Sequence, residues 1–168
     1  MVLDKSQKKE YVYYNLRMKK LVIANRGASE IGKSAAVKCV YNLLKKKGFE
    51  TIKEILQYKE DADIKAVFII NGVKVGVESQ GDPGCDMEKT MEEFVNDGCE
   101  IIITACRTRS DTYRKVKDYL GTEKQFDIIW YAHYVYQAMG QDSTRQKLNR
   151  KYAQQVVELI EKRITGDI

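Results

Sequence analysis

The stretch Leu21-Val22-Ile23-Ala24-Asn25-Arg26-Gly27-Ala28-Ser29-Glu30-Ile31-Gly32-Lys33-Ser34 decides the fold. Its first four residues are a short apolar run between Lys19-Lys20 and Asn25-Arg26, the pattern of a strand buried on both faces of a parallel sheet. Beyond Ser34, apolar residues at Ala36, Val37, Val40, Tyr41, Leu43 and Leu44 recur at helical spacing and stop at Gly48. The order is therefore strand, glycine loop, helix.

A tight turn from a strand into a helix aims successive backbone N–H groups, and the positive end of the helix dipole, into one hollow of anion size. Gly27 and Gly32 are expected to take left-handed angles and let the backbone approach a ligand. Lys33 brings a point charge to the β and γ phosphates of a nucleotide, and the Ser34 hydroxyl is placed to ligate Mg²⁺. Ala28, Ser29, Glu30 and Ile31 complete the cradle. The alternative is a glycine-rich turn with an exposed lysine. With a strand before it and a helix after it, the segment Gly27 to Ser34 resembles the Walker A motif of the P-loop NTPase superfamily and matches it at every position. As a layout of elements the resemblance runs from about Leu21 to Trp130. It implies a Mg²⁺-dependent protein that binds ATP or GTP.

The remaining pattern fits such a fold. Ala66 to Ile70, then Asn71-Gly72, then Val73, Val75 and Val77 alternating with Lys74 and Gly76, reads as two strands joined by a type I′ hairpin. Met87, Met91, Phe94 and Val95 form a short amphipathic helix ending at Gly98, before the buried-strand run Ile101-Ile102-Ile103. Ser110 or Asp111 can cap a helix carrying Tyr113, Val116 and Leu120, which Gly121 would end. Phe126 to Trp130 gives another strand, and Leu148, Tyr152, Val156, Leu159, Ile160 and Ile164 a long C-terminal helix. Phe49 to Tyr58 fits either a helix or a strand. The expectation is an α/β three-layer sandwich, P-loop NTPase-like, with a mostly parallel sheet and one antiparallel hairpin. Residues 18–168 form one nucleotide-binding domain preceded by a polar, tyrosine-rich extension at residues 1–17.

The hairpin runs into Val77-Glu78-Ser79-Gln80-Gly81-Asp82-Pro83-Gly84, whose acids should emerge at the carboxyl end of a central strand beside the glycine loop. Glu78-Ser79-Gln80-Gly81 is similar to the Asp-x-x-Gly switch of Ras-like small GTPases, with Glu in place of Asp. By that resemblance Glu78 is the acid on the metal side, Gly81 a backbone donor to the γ-phosphate, and Asp82 stands where a glutamine positions the attacking water. A carboxylate can itself orient or deprotonate water. An acidic turn stiffened by Pro83 is the bland alternative. Arg107 and Arg109 leave the end of the Ile101 to Cys106 strand, where a guanidinium can reach phosphate oxygens or remain solvated. Thr108-Arg109-Ser110-Asp111 only loosely echoes the base-reading motif of GTPases, so the choice between ATP and GTP stays open. His133, in an aromatic segment, reads as a packing residue.

Composition narrows the classes. The 168 residues, 43% hydrophobic, suffice for one core. The 29 basic and 24 acidic side chains leave a net +5 spread along the chain, which gives no specific nucleic-acid signal. Four cysteines without a CxxC pair and a single histidine make a structural zinc site an unfavoured reading. No run has the length of a membrane span, and the start lacks the apolar core of a signal peptide, so a cytoplasmic protein with reduced thiols is expected. Hydrolysis of the triphosphate is the leading function. Phosphoryl transfer to a small molecule or nucleotide is the alternative, and a nucleotide sensor acting through a protein partner is the third.

Overall fold

The computed structural model describes residues 18–29, 31–56, 63–137, 139 and 143–168. The extension at residues 1–17 and Glu30 of the glycine loop lie outside the described residues. The elements are β1 (Leu21–Arg26), α1 (Lys33–Lys46), β2 (Glu50–Leu56), β3 (Ile64–Ile70), β4 (Val73–Glu78), α2 (Met87–Asn96), β5 (Ile101–Cys106), α3 (Asp111–Arg114), β6 (Asp127–Ala132) and α4 (Thr144–Thr165). α3 continues directly into a π-helical segment, Lys115–Glu123. The fold is α/β with a mixed sheet, in the strand order β2-β3-β4-β5-β1-β6. β4, β5, β1 and β6 run parallel, whereas β2 and β3 pair antiparallel with each other and β3 with β4.

Side-chain alternation splits the core in two. Leu21 and Ile23 of β1 face α1 and α4, joined by Val75 and Val77 of β4 and Ile101 and Ile103 of β5. Val22, Ala24 and Ile102 face the opposite side, where Met87, Met91 and Phe94 of α2 and Val116 and Leu120 of the π-helical segment cover them. The sheet carries helices on both faces. That is why β1 is a continuous apolar run: its first four residues are each at most 1% exposed.

Local chemistry accounts for the ends of the elements. Asn71 and Gly72 both have positive φ, 49° and 82°, as a two-residue hairpin of the primed type needs. α1 ends with Lys45 and Lys46 in its last turn, against the negative end of its dipole, and Gly48 follows at φ 79°. Gly121 does not end its helix. The segment runs on to Glu123, and Gly121 lies so close to β6 that a β-carbon there would stand 2.7 Å from Ile128 Cδ1. Of the segment that fits either a helix or a strand, Glu50–Leu56 forms the edge strand β2, so the sheet has a second antiparallel pairing beside the hairpin; Gln57 and Tyr58 lie outside the described residues. Its pairing shifts register between Thr51 and Lys53, and Ile52 is 45% exposed. Among the described residues no helix is long and apolar enough to cross a membrane.

Candidate functional site

The glycine loop leaves the carboxyl end of β1, which is flanked by β5 and β6, so the ends of three parallel strands surround it. Its first N–H, on Gly27, donates to Cys106 O of β5 at 3.2 Å. Gly32 forms the N-cap of α1 at φ 92°, and no side chain caps that end. The first-turn N–H groups of a helix have no intrahelical acceptor, so α1 directs them, with its dipole, into the loop. Of the loop's two glycines only Gly32 takes the left-handed angle expected of both. Gly27 answers a different constraint. A β-carbon there would stand 2.4 Å from the end of the Ile31 side chain, Cδ1, and 3.4 Å from His133 Cβ, so a side chain at this position would require Ile31 to move.

Lys33 turns inward. It is 5% exposed, and its Nζ donates to Ala28 O across the loop. Burial holds its ammonium below the ordinary lysine value; the Asp82 carboxylate opposes that effect and the Arg107 guanidinium adds to it. Ser34 Oγ donates to Ser79 O at 2.8 Å, tying the first turn of α1 to the end of β4. Ser79 is itself locked, since its hydroxyl donates to Asp63 Oδ1 at 2.8 Å and accepts from Ile64 N at 2.9 Å.

The acidic turn divides. Asp82 stands at the site, exposed, with Arg107 Nε donating to its Oδ1 at 2.8 Å and its charge acting on Lys33. Gly81 is pressed onto β5, where a β-carbon would lie 2.8 Å from the Ala105 backbone, and Thr112 Oγ1 donates to its carbonyl at 3.0 Å. Glu78 points elsewhere. Because Val75 and Val77 face α1, the alternation of β4 sends Glu78 to the α2 side, where it takes hydrogen bonds from Gln80 N at 2.8 Å and from Thr90. It is 2% exposed, and burial pushes its carboxyl up to about 7. By the parity of β4, the side chain expected to hold an acid on the metal side lies on the α2 face of the sheet, with Gln80 and Thr90 as its hydrogen-bond partners. Arg107 is brought onto the acidic turn, whereas Arg109 is exposed in the loop after β5.

Two residues at the loop were not singled out for it from sequence. His133, just past β6, sets its Nε2 2.9 Å from Ile31 O and its Nδ1 3.0 Å from Asn25 Nδ2. Because a carbonyl can only accept, Nε2 carries the proton, and Nδ1 accepts from the Asn25 amide. The aromatic packing expected of His133 is also there, on Tyr134 with ring centroids 4.4 Å apart. Arg145, in the first turn of α4, reaches Ile31 O at 3.4 Å and Tyr136 O at 3.0 Å. For His133 the available signal was positional, since residues just beyond a parallel strand gather at the ligand end of an α/β sheet.

Among the described residues no group of three or more His, Cys, Asp and Glu side chains could hold a metal ion. Mg²⁺ on a nucleotide needs fewer, because phosphates and water fill most of its octahedron. Ser34 Oγ and the Asp82 carboxylate are hard oxygen donors of the required kind on the loop side. Chemically, the arrangement can bind an anion through backbone N–H groups and Lys33, and can set a carboxylate and a guanidinium beside it. Comparison with known protein families, curated proteins and solved structures finds no match to this chain.

Proposed function

We propose that this chain is a P-loop nucleoside triphosphate-binding protein, built as a three-layer sandwich, that hydrolyses ATP or GTP with Mg²⁺. The observation that carries the reading is Lys33: a buried lysine at the uncapped start of α1, folded into its own loop and accompanied by the Asp82–Arg107 pair. A buried ammonium bonded to a carbonyl lacks a strong counter-charge, and a polyphosphate would supply one.

On binding, Lys33 exchanges Ala28 O for phosphate oxygens, and the N–H groups of the loop take up the rest of the charge. Ser34 would hold Mg²⁺ together with the phosphates, and the ion would supply positive charge against the β and γ groups. Asp82 orients a water for attack on the γ-phosphorus and accepts its proton as the bond to the bridging oxygen breaks. Arg107 holds Asp82 in place and meets the developing charge. Glu78 has a structural part here, joining β4 to α2.

Phosphoryl transfer to an acceptor is the second reading, favoured by Arg145 in the first turn of α4, whose guanidinium reaches Ile31 O of the loop. A product assay with Mg·ATP and Mg·GTP, with and without small-molecule acceptors, decides between them. Free phosphate without acceptor supports hydrolysis, and acceptor-dependent nucleoside diphosphate supports transfer. No product with either nucleotide, at a stoichiometry able to reveal a single turnover, removes both.

A further inference from the structure

Asn25 and His133 form a polar pair beneath the glycine loop that the hydrolytic scheme does not use. Both are buried, Asn25 wholly and His133 at 7% exposure. The ring stands close to both glycines: its Cβ is 3.4 Å from where a Gly27 β-carbon would be, and its Nε2 3.8 Å from that of Gly32. Nε2–H holds Ile31 O, in the middle of the loop. Asn25 Nδ2 serves Nδ1 at 3.0 Å and reaches Lys33 O at 3.5 Å, while Asn25 Oδ1 has no hydrogen-bond partner among the described residues.

That orphan oxygen makes the pair two-state. With the ring neutral, the Asn25 amide donates to Nδ1. Once a proton from solvent adds to Nδ1, the amide can turn over so that Oδ1 accepts from it, and Nε2–H keeps its bond to Ile31 O. The ring is then a cation satisfied at both nitrogens, while Asn25 Nδ2 gives up the long contact to Lys33 O and takes the position of Oδ1, which has no hydrogen-bond partner among the described residues. The protein groups around the ring disfavour the cation. Burial lowers the ring's affinity for a proton, the bond to Ile31 raises it, and the charges of Lys33 on α1 and Arg145 on α4 lower it further. Among the described residues no carboxylate acts on it. A polyphosphate in the loop reverses that balance, because it engages Lys33 and places several negative charges beside the ring.

We propose that His133 is a positioning residue of the phosphate loop, and that occupation of the loop by a triphosphate is coupled to uptake of one proton by the His133–Asn25 pair. The proposal rests on the reading of the loop as a triphosphate site. It makes recognition proton-linked: affinity tightens as pH falls, levels off below the titration of the free ring, and is flat above that of the bound ring.

His133 is the only histidine in the chain, so its ring Cε1–H resonance is unambiguous. The test titrates that resonance by NMR in the free protein and with saturating Mg²⁺ and tripolyphosphate, ATP or GTP. Calorimetry in buffers of different ionisation enthalpy counts protons taken up. The expected result is an upward shift of roughly one unit or more on binding, a matching uptake of up to one proton, and an affinity about tenfold tighter at the acidic limit than at the alkaline one. His133→Gln keeps a neutral donor for Ile31 O but cannot take the proton, so, whatever its affinity at alkaline pH, it should show no tightening as pH falls. Binding with no shift of the ring and no uptake, or a His133→Gln variant that keeps the full pH dependence, overturns the proposal and leaves the triphosphate site standing. If none of the three polyphosphates binds at any pH, the site reading itself fails and takes the proposal with it.

Discussion

Replacing Glu78 with glutamine tests how the structure divides the two acids of the turn. Glu78 is 2% exposed, and its carboxyl titrates near 7 against an ordinary 4.5, with burial as the largest cause. Its folded state thus holds the proton more tightly than the unfolded chain does. The stability from this group is complete below about pH 4.5 and is lost as pH rises through about 7. A rise of that size corresponds to about 3 kcal/mol between the two limits. Glu78→Gln mimics the protonated acid, keeping an acceptor for Gln80 N–H and gaining no charge at high pH. Urea unfolding of both proteins, at intervals from pH 4.5 to 8.5, isolates the group by difference. The curves should nearly coincide at the acidic end, and the variant should be more stable by about 2 to 3 kcal/mol at the alkaline end. Parallel stability profiles would refute the burial argument. A wild-type protein that instead gained on the variant as pH rose would mean an acid held ionised by a cation, which is the behaviour of the metal-side role that the geometry assigns away from Glu78.

Asp82→Asn should bind Mg-nucleotide with nearly unchanged affinity but lose turnover, because the carboxylate acts as charge shifts during attack; single-turnover kinetics read kcat apart from KM. Wild-type hydrolysis by that variant would make Asp82 a structural partner of Arg107. Gly76→Ala should destabilise the fold by about 2 kcal/mol, since an added β-carbon would lie 2.7 to 2.9 Å from the buried Phe94 ring. Phe94→Leu in the Gly76→Ala background should recover part of that loss, and thermal unfolding showing strictly additive losses would contradict the contact.

The parts legible from sequence are those whose cause is local. Leu21 to Ala24 announces a strand because both its faces are covered, and Asn71-Gly72 announces its turn because few residue pairs accept two positive φ angles. β2 was ambiguous for a physical reason. An edge strand has one partner and leaves Ile52 in solvent, so its hydrophobic pattern carries little period. Strand order was hidden as well, because β5 entering between β1 and β4 depends on tertiary packing. The direction of Glu78 was readable in principle: once Val73, Val75 and Val77 are placed on one face, the residue after Val77 must point to the other. His133 was not, since the carbonyl it holds is 102 positions away. Gly27 shows the remaining gap. A glycine in a loop suggests an unusual backbone angle, whereas here the end of the Ile31 side chain occupies the space of a β-carbon.

The central claim is that the loop from Gly27 to Ser34 binds a triphosphate, and titration calorimetry of Mg·ATP and Mg·GTP into the wild-type chain and into Lys33→Ala tests it most directly. Lys33 is a buried cation folded into the loop, and its loss leaves bound oxygens without that charge in ground and transition states alike. The expected result is saturable binding of at least one nucleotide to the wild type, and loss of that binding in a Lys33→Ala protein whose circular dichroism and unfolding midpoint show it folded. Equal affinity for the two proteins, or no binding to the wild type, would contradict the account.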